Sequence, residues 1–335
     1  MQRIGTKARM DRRRFGGATL ALALSAALPR VSMAQDAWPS KPIRLVVPFP
    51  PSGGTDLLSR EVAAIITAAT KWVFVIDNRP GAGGNIGLEV VAKAAPDGYT
   101  IAMGQTANLA VNPALYAKAP FDALKDFAPI VLVSAQPLIL VVSSASPYKS
   151  LKDLVAAAAA KPGALNMGSP GNGTVGHIGG ELFQRQAGIR CAHVPYKGAG
   201  PAVTDLMGGS IDFYFGNSQS VSTLVSSGRL RAIAVTATRR MATFPAVPTV
   251  AESGYPTFEV STWSGLVAPA GTPRAIVDRL NAEVGKALKS KELQDKLAAD
   301  GSEPMGGSPQ RFAEHIRAEH AKWGGVIREA GIRLE

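Results

Sequence analysis

Cysteine, histidine and charged residues are all scarce in this chain, and each scarcity excludes a class of protein. The only cysteine among the 335 residues is Cys191, so an intrachain disulfide is excluded. Four histidines and one cysteine form no cluster with metal-ligand spacing, so we expect no metal ion and no other cofactor. Charged residues make up 18% of the chain and hydrophobic residues 46%, which excludes a disordered chain and a coiled coil. Cys191 itself is predicted to be a small buried hydrophobe on a strand.

Basic residues exceed acidic ones, but most of the excess lies at the N-terminus. The formal net charge is +11, and residues 1–34 account for +6 of it, with seven Lys and Arg residues against the single acid Asp11. The rest of the chain contains no run of clustered Lys and Arg with interleaved aromatic residues. We therefore expect no nucleic-acid partner.

The first 34 residues have the layout of a secretory signal. A basic start precedes the apolar stretch Phe15–Leu28 and the small-residue site Ser32-Met33-Ala34, after which we predict cleavage. The run Arg12-Arg13-Arg14-Phe15 also fits a twin-arginine pattern, so the Tat and Sec routes both stay open. No segment reaches about 18 uninterrupted apolar residues, the length that a membrane span needs. The sequence therefore predicts a periplasmic protein.

Short β-branched runs alternate with helical patterns in the rest of the chain. Residues 43–103 hold a first series and residues 151–236 a second, as expected of parallel sheets covered by helices. Two long apolar runs, Ile130–Val142 and Val260–Ala268, flank the second series, and we interpret them as crossovers between two lobes. Because Pro137 lies within the first run, we predict that this run is two strands joined at a bend. We predict three parts. Residues 1–34 are the signal, residues 35–136 together with 259–335 form lobe 1, and residues 137–258 form lobe 2, which is inserted into lobe 1. We expect the ligand in the cleft between the lobes.

Three glycine-rich turns follow predicted strands where a helix begins. They are Pro48–Asp56, Ser169–Thr174 and Tyr196–Gly200. Free backbone N–H groups at a helix N-terminus suit an anion such as a carboxylate. One such turn can need glycine for its conformation alone, but three at the sheet edges of two lobes favour a ligand site.

Other patterns in these turns leave alternatives open. Gly171–Gly176 matches the dinucleotide motif, yet the next strand ends without the acidic residue that a ribose requires. Asp56 is either an acid that favours a helix N-terminus or a ligand contact. His177 either packs in its helix or reaches the cleft. A periplasmic hydrolase using Ser169 and His177 requires these two side chains within hydrogen-bond reach.

An ordered set of motifs along the whole mature chain resembles one family. The set includes Pro48-Phe49 with Gly53 and Asp56, Asp77–Gly87, Pro96–Thr100, His193–Gly198 and Ala268–Pro273. In these motifs the chain resembles the extracytoplasmic solute-binding receptors of tripartite tricarboxylate transporters, often called Bug proteins. The resemblance implies an α/β, two-lobed periplasmic-binding-protein type II fold, in which each lobe is a mostly parallel sheet flanked by helices and two crossover strands join the lobes.

The resemblance also implies a function without catalysis. Such a receptor closes on a small carboxylate and delivers it to integral-membrane transporter subunits. An alternative function is that of an adaptor, in which the ligand-loaded protein docks on a sensor-kinase ectodomain. In the family, backbone amides and hydroxyls of the first two turns hold the carboxylate, which implies Ser52, Gly53, Thr55, Asp56, Ser169, Gly171, Asn172, Gly173 and Thr174. Further candidates are Phe49, Gln105, Thr106, Gln136, His177, Tyr196, Gly198 and Asn217. One departure is Ser52-Gly53 where the family usually has Gly-Gly, so this turn gains a hydroxyl and loses backbone freedom.

Overall fold

The computed structural model describes Gly5, residues 38–299 and residues 301–332. Apart from Gly5, the predicted signal lies outside the described residues. The chain divides into two units after Ser40, and the unit that begins at Lys41 carries the fold. None of the helices within the described ranges combines the length and apolar character that a bilayer crossing requires.

Strands and helices alternate along most of this unit. The strands are β1 Ile43–Val47, β2 Phe74–Asn78, β3 Thr100–Gln105, β4 Phe127–Ser143, β5 Asn166–Ser169, β6 Ala192–Pro195, β7 Phe213–Asn217, β8 Leu230–Val235, β9 Ser261–Pro269 and β10 Glu303–Pro304. The helices are α1 Gly54–Thr70, α2 Asn85–Ala92, α3 Asn112–Leu115, α4 Leu151–Ala160, α5 Val175–Ala187, α6 Ala199–Gly208, α7 Ser218–Ser226, α8 Arg274–Ala287, α9 Lys291–Ala299 and α10 Pro309–Ala330. A 3₁₀ turn, Ala82–Gly84, precedes α2, and a π-helical turn, Ala107–Val111, precedes α3.

The strands form one sheet path with a parallel region at each end. Its order is β2-β1-β3-β9-β4-β7-β5-β6, with β8 and β10 also paired to β4. Strands β1 to β3 are parallel at one end and β5 to β7 at the other, whereas β9, β4 and their neighbours pair antiparallel. The observed architecture is therefore the predicted α/β fold with two lobes, each built on a mostly parallel set of strands.

Strand β4 belongs to both lobes. We predicted two strands joined at a bend at Pro137, which is wrong, because residues 127–143 form one continuous strand of 17 residues. The strand instead changes partners at this point: residues up to Pro137 pair with β9, and residues from Leu138 onward pair with β7 and β8. Proline is tolerated there because it lies where one ladder ends and the next begins.

Thr236 joins the two chain crossings. Its hydroxyl accepts a hydrogen bond from the N–H of Leu138 at 2.7 Å, and it lies 2.5 Å from the carbonyl oxygen of Val260, to which it donates. The N–H of Val260 in turn donates to the carbonyl of Thr236 at 3.0 Å. Thr236 is completely buried, so these hydrogen bonds are shielded from water and hold the two crossings side by side.

The long C-terminal helix α10 covers the sheet beside β9. The Glu319 carboxylate accepts hydrogen bonds from the indole N–H groups of Trp263, at 3.0 Å, and Trp323, at 2.8 Å. Phe312 packs edge-to-face on Trp263, with ring centroids 5.8 Å apart. Trp263 therefore points into the core, which directs its neighbours on β9 to the other face of the sheet.

Cys191 differs from its prediction. It directly precedes β6 rather than lying on a strand, and it is half-buried. Burial raises the pKa of its thiol to about 11, so the thiol is protonated at neutral pH and is a poor nucleophile.

Candidate ligand-binding site

A cavity of about 520 Å³ lies where the ends of β3 and β7 meet the middle of β4 and the beginning of β9. Residues of α1, α9 and the segment after α9 complete its wall. The lining residues are Gly54, Thr55, Leu57, Leu58, Glu61, Gln105, Ser134, Gln136, Asn217, Thr262, Ser264, Leu293, Lys296, Leu297, Ala299 and Ser302. The cavity has the size of a small-molecule site.

The strand side of this cavity is a continuous row of polar side chains, here called the polar row: Gln105, Ser264, Ser134, Thr262, Gln136 and Asn217. The strand register produces it, because Ser264 pairs with both Gln105 and Ser134, and Thr262 pairs with Gln136. Side chains of directly paired residues lie on the same face of a sheet. Asn217 joins the row from β7, opposite Leu138, the residue at which β4 takes its new partners. The result is a surface of amides and hydroxyls without a charged group.

The first glycine-rich turn brings the start of α1 to the cavity. Gly53 is the N-cap and supplies no side-chain acceptor, so the N–H groups of the first helical turn depend on other partners. Gly54 and Thr55 line the cavity, and the Gln105 side-chain amide donates to the Thr55 hydroxyl. Ser52 has a φ of 65°, a left-handed conformation that glycine adopts far more easily. The serine that departs from the family pattern thus occupies the strained position of the turn.

Asp56 holds this turn in place. Its carboxylate accepts hydrogen bonds from the Ser52 N–H, the Arg60 Nε and the Asn78 Nδ2, each at 2.9 Å. The same Asn78 Nδ2 donates to the carbonyl of Phe49 at 3.0 Å. The hydrogen bond from Arg60 is the largest of the causes that lower the pKa of Asp56 to about 2. Of the two roles left open for Asp56, these contacts describe a structural one, and neither Asp56 nor Phe49, Ser52 or Gly53 lines the cavity.

The candidates that lie on a strand or directly after one divide by their surroundings. Gln105, Gln136 and Asn217 line the cavity. Asn217 is also the N-cap of α7, and its side-chain oxygen accepts from the Ser220 N–H at 3.2 Å, so it offers a ligand chiefly its Nδ2 donor. Thr106 lies instead in the core, where its hydroxyl accepts from the Trp263 N–H at 2.8 Å.

The second turn has its own internal hydrogen bonds and does not line the cavity. Thr174 caps α5 by accepting from the His177 N–H, and its hydroxyl donates to the carbonyl of Gly171 at 2.8 Å. Gly171 and Gly173 have φ values of 143° and 77°, which explains the glycines in the motif. Asn172, between them, is exposed.

His177 is a buried packing residue next to a second histidine. Its Nδ1 accepts from the Gly173 N–H at 3.1 Å, and its ring stacks on that of His193 with centroids 3.8 Å apart. Burial, assisted by His193, lowers the pKa of His177 to about 4, so the ring is neutral at pH 7. Ser169, fully buried, has its hydroxyl 2.7 Å from the Nε2 of His193. The hydrolase alternative required a Ser169–His177 hydrogen bond, whereas the Ser169 hydroxyl is paired with His193.

Tyr196 and Gly198 support the second turn from the segment between β6 and α6. The Tyr196 hydroxyl donates to Asp205 at 2.7 Å, and burial together with this contact raises the pKa of Tyr196 to about 12. The N–H of Gly198, where φ is 110°, donates to the carbonyl of Pro170 at 2.9 Å. Neither residue lines the cavity.

Sequence reasoning missed several residues of the site. Three polar residues within long apolar runs were missed: Ser134, Thr262 and Ser264. The alternation of polar and apolar residues in Thr262-Trp263-Ser264 is the pattern that could have indicated a polar face on this strand. The whole α9 wall was missed, because no separate helix was predicted there. No role was predicted for His193 beyond its place in a family motif, because its approach to Ser169 depends on the parallel pairing of β5 with β6.

Comparisons with known proteins show the family and the fold of this chain. The family model described as tripartite tricarboxylate transporter family receptor matches residues 58–332. Protein BugT of Bordetella pertussis is 39% identical over 301 residues, 90% of this chain and 92% of that protein. Among solved structures, Rpa4515 of R. palustris with adipate is 38% identical with a TM-score of 0.76, covering 88% of this chain and 99% of that one. MatC of Rhodopseudomonas palustris with bound malate is 31% identical with a TM-score of 0.72, covering 87% and 100%.

The matching family model and the related solved structures identify a solute-binding receptor rather than an enzyme. The chain belongs to the family of tripartite tricarboxylate transporter receptors.

Proposed function

We propose that this protein is exported by a cleaved N-terminal signal and binds a small organic carboxylate in the 520 Å³ cavity. In this proposal it then delivers the ligand to the integral-membrane subunits of a tripartite tricarboxylate transporter. The polar row beside the N-terminus of α1 carries the proposal. Amides, hydroxyls and helix N–H groups stabilise a carboxylate without a buried cation, and the desolvation of such a cation would oppose binding.

The relatives support this ligand class. Rpa4515 and MatC were solved with adipate and malate, and both ligands carry carboxylates. Because two relatives with the same fold bind ligands of this class, a carboxylate is favoured over a neutral solute as the ligand of this protein.

Closure of the two lobes completes the proposed site. Asn217 of the second series of strands already lines the cavity beside residues of the first. We propose that lobe 2 spans residues 137–258 and that its turn Ser169–Thr174 approaches the ligand when the cleft closes. Thr236 and the two crossings that it joins would form the hinge of this movement.

Isothermal titration with small carboxylates, paired with their uncharged amides, tests the proposal. We expect at least one carboxylate to bind, its amide to bind much more weakly, and Gln136→Leu to lower its affinity by roughly tenfold, the effect of one hydrogen bond to a charged group. Equal binding of acids and amides would contradict the role of the polar row. A panel in which only neutral solutes bind would refute the proposal.

A further inference from the structure

The helical side of the cavity differs from the polar row in composition. Helices α1 and α9 contribute Leu57, Leu58, Leu293 and Leu297 to the lining. Leu57 is 51% exposed, an unusual exposure for a large apolar side chain in the first turns of a helix. A ligand whose carboxylate lies on the polar row would bring the rest of its carbon skeleton to these leucines.

The same helical side contains the only charged residues among the described lining residues, Glu61 and Lys296. They form an ion pair with each other across 235 positions of the sequence. The Lys296 ammonium also donates to Glu292 at 3.3 Å, so two carboxylates share one cation. The pairing with two carboxylates leaves Lys296 neutralised, and Glu292 itself is not among the residues that line the cavity.

From these two observations we infer that the ligand is a monocarboxylate with an uncharged, apolar body, rather than a dicarboxylate. This inference rests on the proposed function. A second carboxylate would approach the Glu61 carboxylate and would lose part of its own hydration against the leucine side chains, and both effects are unfavourable. An apolar chain at the same place gains affinity by burying carbon against the leucines.

Matched pairs of acids of equal length provide the test. The purified protein is titrated at low ionic strength with butanoate and succinate, hexanoate and adipate, and octanoate and suberate, because salt would screen the repulsion. We expect each monocarboxylate to bind roughly fivefold or more tightly than its dicarboxylate partner. Affinity for the monocarboxylates should rise roughly threefold per methylene while the added carbon is still contacting the leucines.

Two variants with matched controls assign the effect to these residues. Glu61→Gln should reduce the preference for monocarboxylates by roughly fivefold. Glu89→Gln, at a glutamate of α2 that is as exposed as Glu61 and pairs with Lys93, should leave it unchanged. Leu57→Asn should flatten the dependence on chain length, whereas Leu124→Asn, at a similarly exposed leucine outside the cavity, should not.

The outcomes separate this inference from the proposed function. Tighter binding of adipate than of hexanoate, or variants at Glu61 and Leu57 that behave like their controls, would overturn the inference and leave a carboxylate receptor standing. If carboxylates of neither series bind while uncharged solutes do, the proposed function fails as well.

Discussion

Replacement of Asp56 by asparagine tests how the first turn is held at the cavity. Asparagine has nearly the shape of a protonated aspartate but carries no charge, so it loses the interaction with Arg60 and repels one of the other two donors. The pKa of Asp56 falls from 3.8 to about 2 in the folded protein. At 1.36 kcal/mol per unit this shift corresponds to about 2.4 kcal/mol. Because the Arg60 side chain is 49% exposed, solvent screening reduces the expected loss to about 2 kcal/mol at pH 7.

The pH dependence of this loss separates charge from packing. A carboxylate whose pKa is lowered by folding stabilises the protein above its unfolded pKa of 3.8, and this stabilisation disappears as the pH falls through about 2. Urea denaturation at pH 7, 5, 3 and 2.5 should therefore show the free energies of unfolding of wild type and Asp56→Asn converging only below pH 4. At pH 7 the melting temperature should fall by roughly 3–5 °C.

A second aspartate–arginine pair with the same helical spacing serves as the control. Asp278 pairs with Arg274, but both side chains are at least half exposed. Asp278→Asn should cost no measurable stability at any pH, as is usual for exposed ion pairs. An equal loss for Asp56→Asn at pH 7 and pH 2.5 would refute the reasoning, because it would show that shape rather than charge holds the turn.

Further predictions concern the turn, the crossings and the buried histidine. Ser52→Gly should raise the free energy of unfolding by about 0.5 kcal/mol. Glycine relieves the strain of the left-handed backbone conformation, but its larger conformational entropy in the unfolded chain cancels part of this stabilisation. Destabilisation in urea titrations would contradict this prediction. Thr236→Val leaves the N–H of Leu138 without its partner and should cost about 1–3 kcal/mol; a melting temperature within error of wild type would speak against the shared hydrogen bonds. The pKa of His177 is about 4 in the folded protein and 6.5 in the unfolded chain, so the unfolded chain is protonated first as the pH falls. The free energy of unfolding should therefore decrease by up to about 3 kcal/mol from pH 6.5 to pH 4. His177→Asn should make the slope of stability against pH in this window shallower, and an unchanged slope would assign it to other groups.

Local patterns sufficed for many elements of this fold. The observed strand β1, Ile43–Val47, begins the first predicted series, and the observed helix α4, Leu151–Ala160, begins the second. Both depend on neighbouring residues: a β-branched run in one case, and in the other a helix opened by Ser150 and Asp153, whose side chains and backbone N–H groups cap each other. The glycines of the first two turns and the family motifs were likewise readable without tertiary information.

The candidate site was less predictable, because its residues are far apart in the chain. Gln105, Gln136 and Asn217 were predicted as candidates, but their neighbours in the polar row follow from the register of β4 with β9. The Glu61–Lys296 pair spans 235 positions, and the periodicity of either helix alone does not place them together.

The sequence by itself determined the alternation of strands and helices, the glycine turns and the family, because each depends on short-range pattern or on motif order. Only the tertiary structure decided that Ser169 meets His193, that β4 exchanges partners at Pro137, and that leucines of α1 and α9 face a polar row. Those features depend on which strands become neighbours and in which register. Long-range packing of the whole core selects that arrangement, and no local segment encodes it.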